Sequence, residues 1–125
     1  MINIELVINL HGILIDKFGG IHGVRDYNAL ESAINRPFMT FDQKELYPSP
    51  IDKAAALIES LISNHPFIDG NKRIGYVLMR YFLLENGLDI QATQSEKFDF
   101  VIKIAQSQLS FEQIRSWLSE MAIKK

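Results

Sequence analysis

With 125 residues, 47% of them hydrophobic, the chain has material for one packed core and not for two, and its composition excludes an intrinsically disordered segment. The absence of cysteine excludes a disulfide framework and a thiolate metal site, and fits a cytoplasmic protein. A formal charge of −2 supplies no global field for direct nucleic-acid binding, and neither a membrane-length apolar run nor a signal-peptide pattern is present, which leaves a local cationic patch as the feature to look for.

From Asn3 to Phe18 the residues Ile4, Val7, Ile8, His11, Leu14, Ile15 and Phe18 recur at helical spacing, and Gly19-Gly20 ends the run. Asp26 is placed to cap a short second helix carrying Leu30, Ala33 and Ile34, which must stop before Pro37. Residues 38–49 have no clean period, contain Pro48 and form the longest irregular segment, the kind that in a compact domain often serves function. Ser49-Pro50-Ile51-Asp52 is a helix start, with a capping hydroxyl, a proline and an acid in the first turn. Ala54, Ala55, Leu57, Ile58, Leu61 and Ile62 then give that helix a broad face for deep burial. His65-Pro66 ends it and Asp69 opens the next, with Ile74, Val77, Leu78, Tyr81 and Phe82 as core face and Asn86-Gly87 as stop. Thr93 with Glu96 forms a capping box before Phe98, Val101, Ile102 and Ala105, and Ser110 with Gln113 repeats the device before Ile114, Trp117, Leu118 and Met121. No internal repeat, low-complexity tract or linker interrupts the pattern. The expectation is an all-α fold over residues 1–125, one compact domain of about six helices, with any strand confined to the irregular segment.

Between the two most apolar helices, His65-Pro66-Phe67-Ile68-Asp69-Gly70-Asn71-Lys72-Arg73 gathers a base, an acid, an amide and two cations in nine residues. A helix N-terminus presents unpaired N–H groups and the positive end of the peptide dipole, so it already attracts anions. Lys72 and Arg73 strengthen that pull in a way that suits phosphate, and Arg73 adds a planar fork for charge building on a transferred group. His65, as a neutral imidazole, can accept the proton of a hydroxyl that attacks phosphorus. Asp69 repels phosphate unless it caps the helix or holds a Mg²⁺ that bridges it to the phosphates. Gly70 allows close backbone approach, and Asn71 either donates to a phosphate oxygen or orients a backbone turn. Pro66 fixes the loop entry, and Phe67 and Ile68 anchor the loop in the core. Taken singly, each residue has a structural reading as turn, cap or solvated charge. Two cations at the unfavourable pole of a helix make more sense with an anion between them. The combination points to a polyphosphate held beside a base, and hence to group transfer.

These nine residues resemble the Fic/Doc (Fido) superfamily, whose pattern is His-x-Phe-x-Asp/Glu-Gly/Ala-Asn-x-Arg. The likeness is greatest to the death-on-curing (Doc) branch, the toxins of bacterial toxin–antitoxin modules. It extends to Gly23-Val24-Arg25-Asp26-Tyr27, Leu30-Glu31-Ser32-Ala33, Arg36-Pro37, Lys53-Ala54-Ala55-Ala56-Leu57 and Asn86-Gly87, or roughly residues 11–90. Lys72 stands where the adenylylating Fic branch has glycine, and Tyr76 stands where that branch has a second arginine. A lysine would fill part of the phosphate pocket of that branch, and tyrosine cannot replace the missing cation. Both differences resemble Doc, which is similar to kinases that use ATP in a reversed orientation, with the terminal phosphoryl group facing the acceptor.

The resemblance implies a Fido-type fold with a β-like flap over residues 41–47 that aligns a target chain by strand pairing. It also implies an ATP- and Mg²⁺-dependent toxin that phosphorylates a threonine of elongation factor Tu and halts translation. A small helical, Phd-like antitoxin lying in a hydrophobic groove would hold it inactive. Residue by residue, His65 becomes the base, Asp69 the Mg²⁺-associated carboxylate, and Gly70, Asn71, Lys72 and Arg73 the phosphate-binding set, with Lys72 and Arg73 also in the catalytic group and Phe67 a core anchor. No Walker loop and no His-Arg-Asp kinase loop occurs, so the helix N-terminus must hold the phosphates. The rival readings are an adenylyltransferase on the same scaffold, an anion- or partner-binding module without catalysis, and, weaker still given the acidic balance, a nucleic-acid-binding repressor. Outside the motif, His11 reads as core or interface, His22 as a turn residue and Trp117 as core. Arg25 and Asp26 read as an ion pair or helix cap, with a contact to the motif loop as the minority reading.

Overall fold

A computed structural model of the chain describes residues 2–125. The elements begin with α1 (Ile4–Phe18), capped by the Asn3 side chain, which accepts from Leu6 N–H, and closed by Gly19 N–H on the Ile15 carbonyl. Asp26 caps α2 (Tyr27–Asn35) by accepting from Ala29 N–H. Pro37 does not end the helical path at once: Arg36–Phe38 tightens into a single 3₁₀ turn first.

The irregular segment holds a small hairpin, β1 (Thr40–Phe41) and β2 (Lys44–Glu45), with Thr40 opposite Glu45 and Phe41 opposite Lys44. Its two turn residues, Asp42 and Gln43, both have positive φ, as a tight two-residue hairpin turn requires. Lys53 ties the hairpin to the helix below, donating to Glu45 Oε1 at 2.7 Å and to the Tyr47 carbonyl. Arg36 steadies the same exit by donating to the Tyr47 hydroxyl at 3.0 Å.

Helix α3 (Pro50–Ser63) opens with a Ser49/Asp52 capping box and runs through the middle of the molecule. Ala54, Ala55, Leu57, Ile58, Leu61 and Ile62 are buried as their spacing predicts, against α2, α4 (Asn71–Glu85), α5 (Gln94–Ala105) and α6 (Phe111–Met121). Both later capping boxes form, Thr93 with Glu96 and Ser110 with Gln113.

Three expectations need correction. Strands are not confined to the flap: β3 (Leu88–Ile90) pairs antiparallel with β4 (Ala122–Lys124). That pairing joins distant segments, so local periodicity carries no trace of it. The buried face of α4 is Asn71, Ile74, Gly75, Leu78, Met79, Phe82 and Leu83, leaving Val77 and Tyr81 only partly covered. That face includes Asn71, a polar residue held inside by hydrogen bonds to Phe67 of the preceding loop. In α5 the core contacts come from Phe100, stacked on Trp117 at 3.8 Å, and from Ile104, whereas Phe98 is 70% exposed.

Among the described residues the architecture is thus six α-helices and one 3₁₀ turn with two very small sheets. No helix among the described residues is long and apolar enough to cross a membrane.

Candidate active site

The nine-residue segment forms the turn from α3 into α4, and its two ends are held by different parts of the chain. At the α3 end, His65 is exposed and adopts φ +48°, a left-handed conformation that non-glycine residues enter at a cost of about 1–2 kcal/mol. The guanidinium of Arg25 spans this bend, donating from Nε to the His65 carbonyl at 2.6 Å and from Nη2 to the Asn64 carbonyl at 2.8 Å. Those carbonyls lie at the negative end of α3, where a cation is favourable. The backbone around Arg25 adds more: Arg25 and Asp26 N–H both donate to the Pro66 carbonyl, and Ile68 N–H donates to Gly23. Arg25 therefore supports the motif loop rather than pairing with Asp26, which is occupied in capping α2.

Asn71 closes the inner half of the loop. Its Oδ1 accepts from Phe67 N–H and its Nδ2 donates to the Phe67 carbonyl, both at 2.9 Å, and the residue is 8% exposed. Of the two roles open to this amide, the geometry gives it the turn-orienting one, so an anion would meet Asn71 through its backbone N–H. Phe67 is buried as expected and stacks on the His11 ring. Ile68, by contrast, is 52% exposed and is no core anchor, because the residues between Phe67 and Asn71 bulge outward.

Asp69 is not a helix cap. The capping position of α4 is Gly70 at φ +76°, which offers no side-chain acceptor to the first turn. Asp69 instead accepts from Gly70 N–H at Oδ1, 2.8 Å, and from Ile21 N–H at Oδ2, 3.1 Å. The Ile21 contact is reached because the chain passes close at Gly20, where an added Cβ would lie 2.8 Å from Asp69 Oδ2. Each carboxylate oxygen keeps a lone pair free. One carboxylate of this kind, completed by phosphate oxygens and water, suits Mg²⁺, which takes one or two protein carboxylates and retains its other ligands. No group of three or more His, Cys, Asp or Glu side chains gathers into an all-protein metal site among the described residues.

His65, Asp69, Gly70, Asn71, Lys72 and Arg73 line one open pocket together with Ile68 and Ala105 of α5. The structure therefore brings His65, Asp69, Gly70, Asn71, Lys72 and Arg73 to a single mouth, while Pro66 and Phe67 lie outside it. Lys72 and Arg73 are exposed there, and Arg73 rests 4.6 Å from the Phe18 ring centroid. Both cations also border a second, more apolar groove between α4 and α5, walled by Tyr76, Val77, Phe98, Val101 and Ile102. Burial pushes the Tyr76 phenol up, and its hydroxyl, with no hydrogen-bond partner among the described residues, adds no cation to the site. His22 is outside the pocket lining and pairs with Asp16 at 2.7 Å.

Two contributors carried weak signals in the sequence. Arg25 lies 40 residues before the carbonyl it grips, and His11 lies 58 residues before Asp69. For His11 the available signal was a lone polar residue in an otherwise apolar stripe.

The arrangement can hold an anion against α4, keep a carboxylate beside it and present an imidazole at the rim. The chain is 45% identical over 75 residues to a protein named Toxin Doc from Mycolicibacterium smegmatis (strain ATCC 700084 / mc(2)155), a match that covers 60% of this chain and 58% of that relative. A family model described as the Fic/DOC family matches residues 1–83, which take in α1 to α3, the motif loop and most of α4. The chain belongs to the Fic/DOC family.

Proposed function

We propose that this protein is a Doc-type toxin of a type II toxin–antitoxin module, acting as an ATP-dependent protein kinase on a threonine hydroxyl of elongation factor Tu. One observation carries the choice of phosphoryl transfer: Lys72 lines the pocket at the α4 N-terminus, while the next turn offers Tyr76 and no second arginine. The name of the Mycolicibacterium relative supports the toxin reading.

In the proposed reaction His65 takes the proton of the acceptor hydroxyl as its oxygen bonds to the terminal phosphorus of ATP. The bond from that phosphorus to the bridging oxygen breaks, and its electron pair leaves with ADP. Lys72, Arg73 and the N–H groups of the first turn of α4 stabilise the charge on the transferred group. Asp69 would hold Mg²⁺, which when bound neutralises phosphate charge. Asn71 keeps the loop closed throughout. The exposed β1–β2 hairpin, with Phe41 at 68% exposure, would align the target chain, and a Phd-like helical antitoxin would block the enzyme. The setting of such an enzyme is the cytoplasm, where its target works.

The test is incubation with ATP, Mg²⁺ and elongation factor Tu, followed by intact mass measurement beside a His65→Ala control. A gain of one phosphate, lost in the control, is the expected result. A gain of one adenylate would make the protein an adenylyltransferase, and no gain on this or any other acceptor would leave an anion-binding module.

A further inference from the structure

His11 takes no part in the proposed reaction, yet its placement is costly to explain as packing. It is 3% exposed on α1, between the buried residues Val7 and Ile15. Its ring lies parallel to Phe67 with centroids 3.8 Å apart. Phenylalanine would fill that space with no polar atom to satisfy, whereas a buried imidazole must find partners. Nε2 finds one, the Asp69 carbonyl, at 2.7 Å. A carbonyl only accepts, so the proton of this bond sits on Nε2.

The carbonyl of Asp69 and the N–H of Gly70 belong to one rigid peptide plane. His11 holds the carbonyl end of that plane, and Asp69 Oδ1 accepts from its N–H end at 2.8 Å. If the carbonyl end is released, the plane can rotate and carry the N–H away from Oδ1. The remaining tether of the carboxylate is then Ile21 N–H at 3.1 Å, on an exposed loop. Gly70 also starts α4 and lines the pocket, so the same plane sets how the first turn of the helix leaves it.

We propose that His11 is a positioning residue: by donating from Nε2 to the Asp69 carbonyl it locks the 69–70 peptide and so aims both the Asp69 carboxylate and the anion-facing end of α4. The effect on transfer rests on the function proposed above; the effect on the peptide does not.

Two substitutions separate this role from packing. His11→Phe keeps a ring against Phe67 and removes the donor. His11→Gln gives up the ring but returns an N–H donor at similar reach. Each is assayed for phosphate transfer to elongation factor Tu with ATP and Mg²⁺, for thermal midpoint, and for the ¹H–¹⁵N signals of Gly70 and Ile21. His11→Phe is expected to lose about 10–100-fold in kcat/KM, the usual effect of losing a residue that orients a ligand-holding group. Its Gly70 and Ile21 signals should move, and His11→Gln should recover most of both. Unmoved signals and a wild-type rate in His11→Phe would overturn the proposal. So would equal losses in both variants that follow the fall in thermal midpoint. If the wild-type protein transfers nothing to any acceptor, the proposed function fails while the Gly70 and Ile21 signals still decide the role of His11.

Discussion

The two ends of α4 follow opposite rules. At the C-terminal end, Asn86 N–H donates to Leu83 and its side chain to Phe82, Gly87 N–H donates to Leu84, and the chain turns into the β3–β4 pair. Arg80 clamps that pair through two bonds to Asp89, at 2.7 and 2.9 Å. At the N-terminal end the cap is a glycine with nothing to offer, and two cations stand at the pole that disfavours them. A helix end without internal partners survives when water or a ligand supplies them. The contrast shows where this fold uses its own side chains and where it does not. One end of the helix is closed by its own chain, and the other starts at a glycine with two cations beside it.

Substitutions at the two ends should separate activity from stability. The largest effect on rate is expected for His65→Ala, a loss of about 10²–10⁴-fold in transfer. Its thermal midpoint should stay near that of the wild type, because the side chain is exposed and the loop is held through backbone carbonyls. Asn71→Ala should blur the division. It leaves the buried N–H and carbonyl of Phe67 unpaired, so both activity and about 2–3 kcal/mol of stability should go, read by urea unfolding beside the transfer assay. Arg25→Ala should reduce transfer about tenfold, with Arg25→Lys recovering little, because one ammonium replaces a planar fork that spans two carbonyls.

At the far end, Asp89→Asn should cost about 0.5–1 kcal/mol at pH 7 and leave transfer unchanged, since the pair is partly exposed. The hydrogen bond from Arg80 lowers the Asp89 carboxyl from 3.8 to about 2. Its contribution is therefore full above pH 3.8 and lost as the pH falls toward 2, so wild type and Asp89→Asn should converge in acid-unfolding curves over that window. The smallest effect is expected for Phe98→Ser: with 70% of the residue in solvent, stability should change by no more than about 0.5 kcal/mol.

Much of this division is written locally in the sequence. Ser49/Asp52, Thr93/Glu96 and Ser110/Gln113 mark helix starts because a capping box closes within one turn. The motif is legible for the same reason, its residues being contiguous and converging on one pocket. What escapes is whatever depends on distant partners. Asp89 meets Ile123 across β3 and β4, and three-residue strands carry no period of their own. Phe98 fits an amphipathic pattern in α5, but the direction of that helix over α3 and α4 decides that Phe100 and Ile104 face inward instead. Arg25 reads first as an ion-pair or capping residue, with the loop contact only the minority reading, and His11 as core or interface, until the loop they hold is folded beside them.

The close passage of the chain at Gly20 has a practical consequence. A Cβ there would come within 2.8 Å of Asp69 Oδ2 and 2.9 Å of Ile15 Cδ1, at a φ of +125° that side chains rarely adopt. Both contacts are with the ends of flexible side chains, so the methyl of Gly20→Ala would displace them and move the carboxylate off its mark. An enzyme that arrests the cell producing it is hard to prepare without its inhibitor. On the proposed function, that one methyl, outside the motif itself, offers a disarmed form in which the Asp69 carboxylate is displaced while His65, Lys72 and Arg73 are unaltered for binding studies.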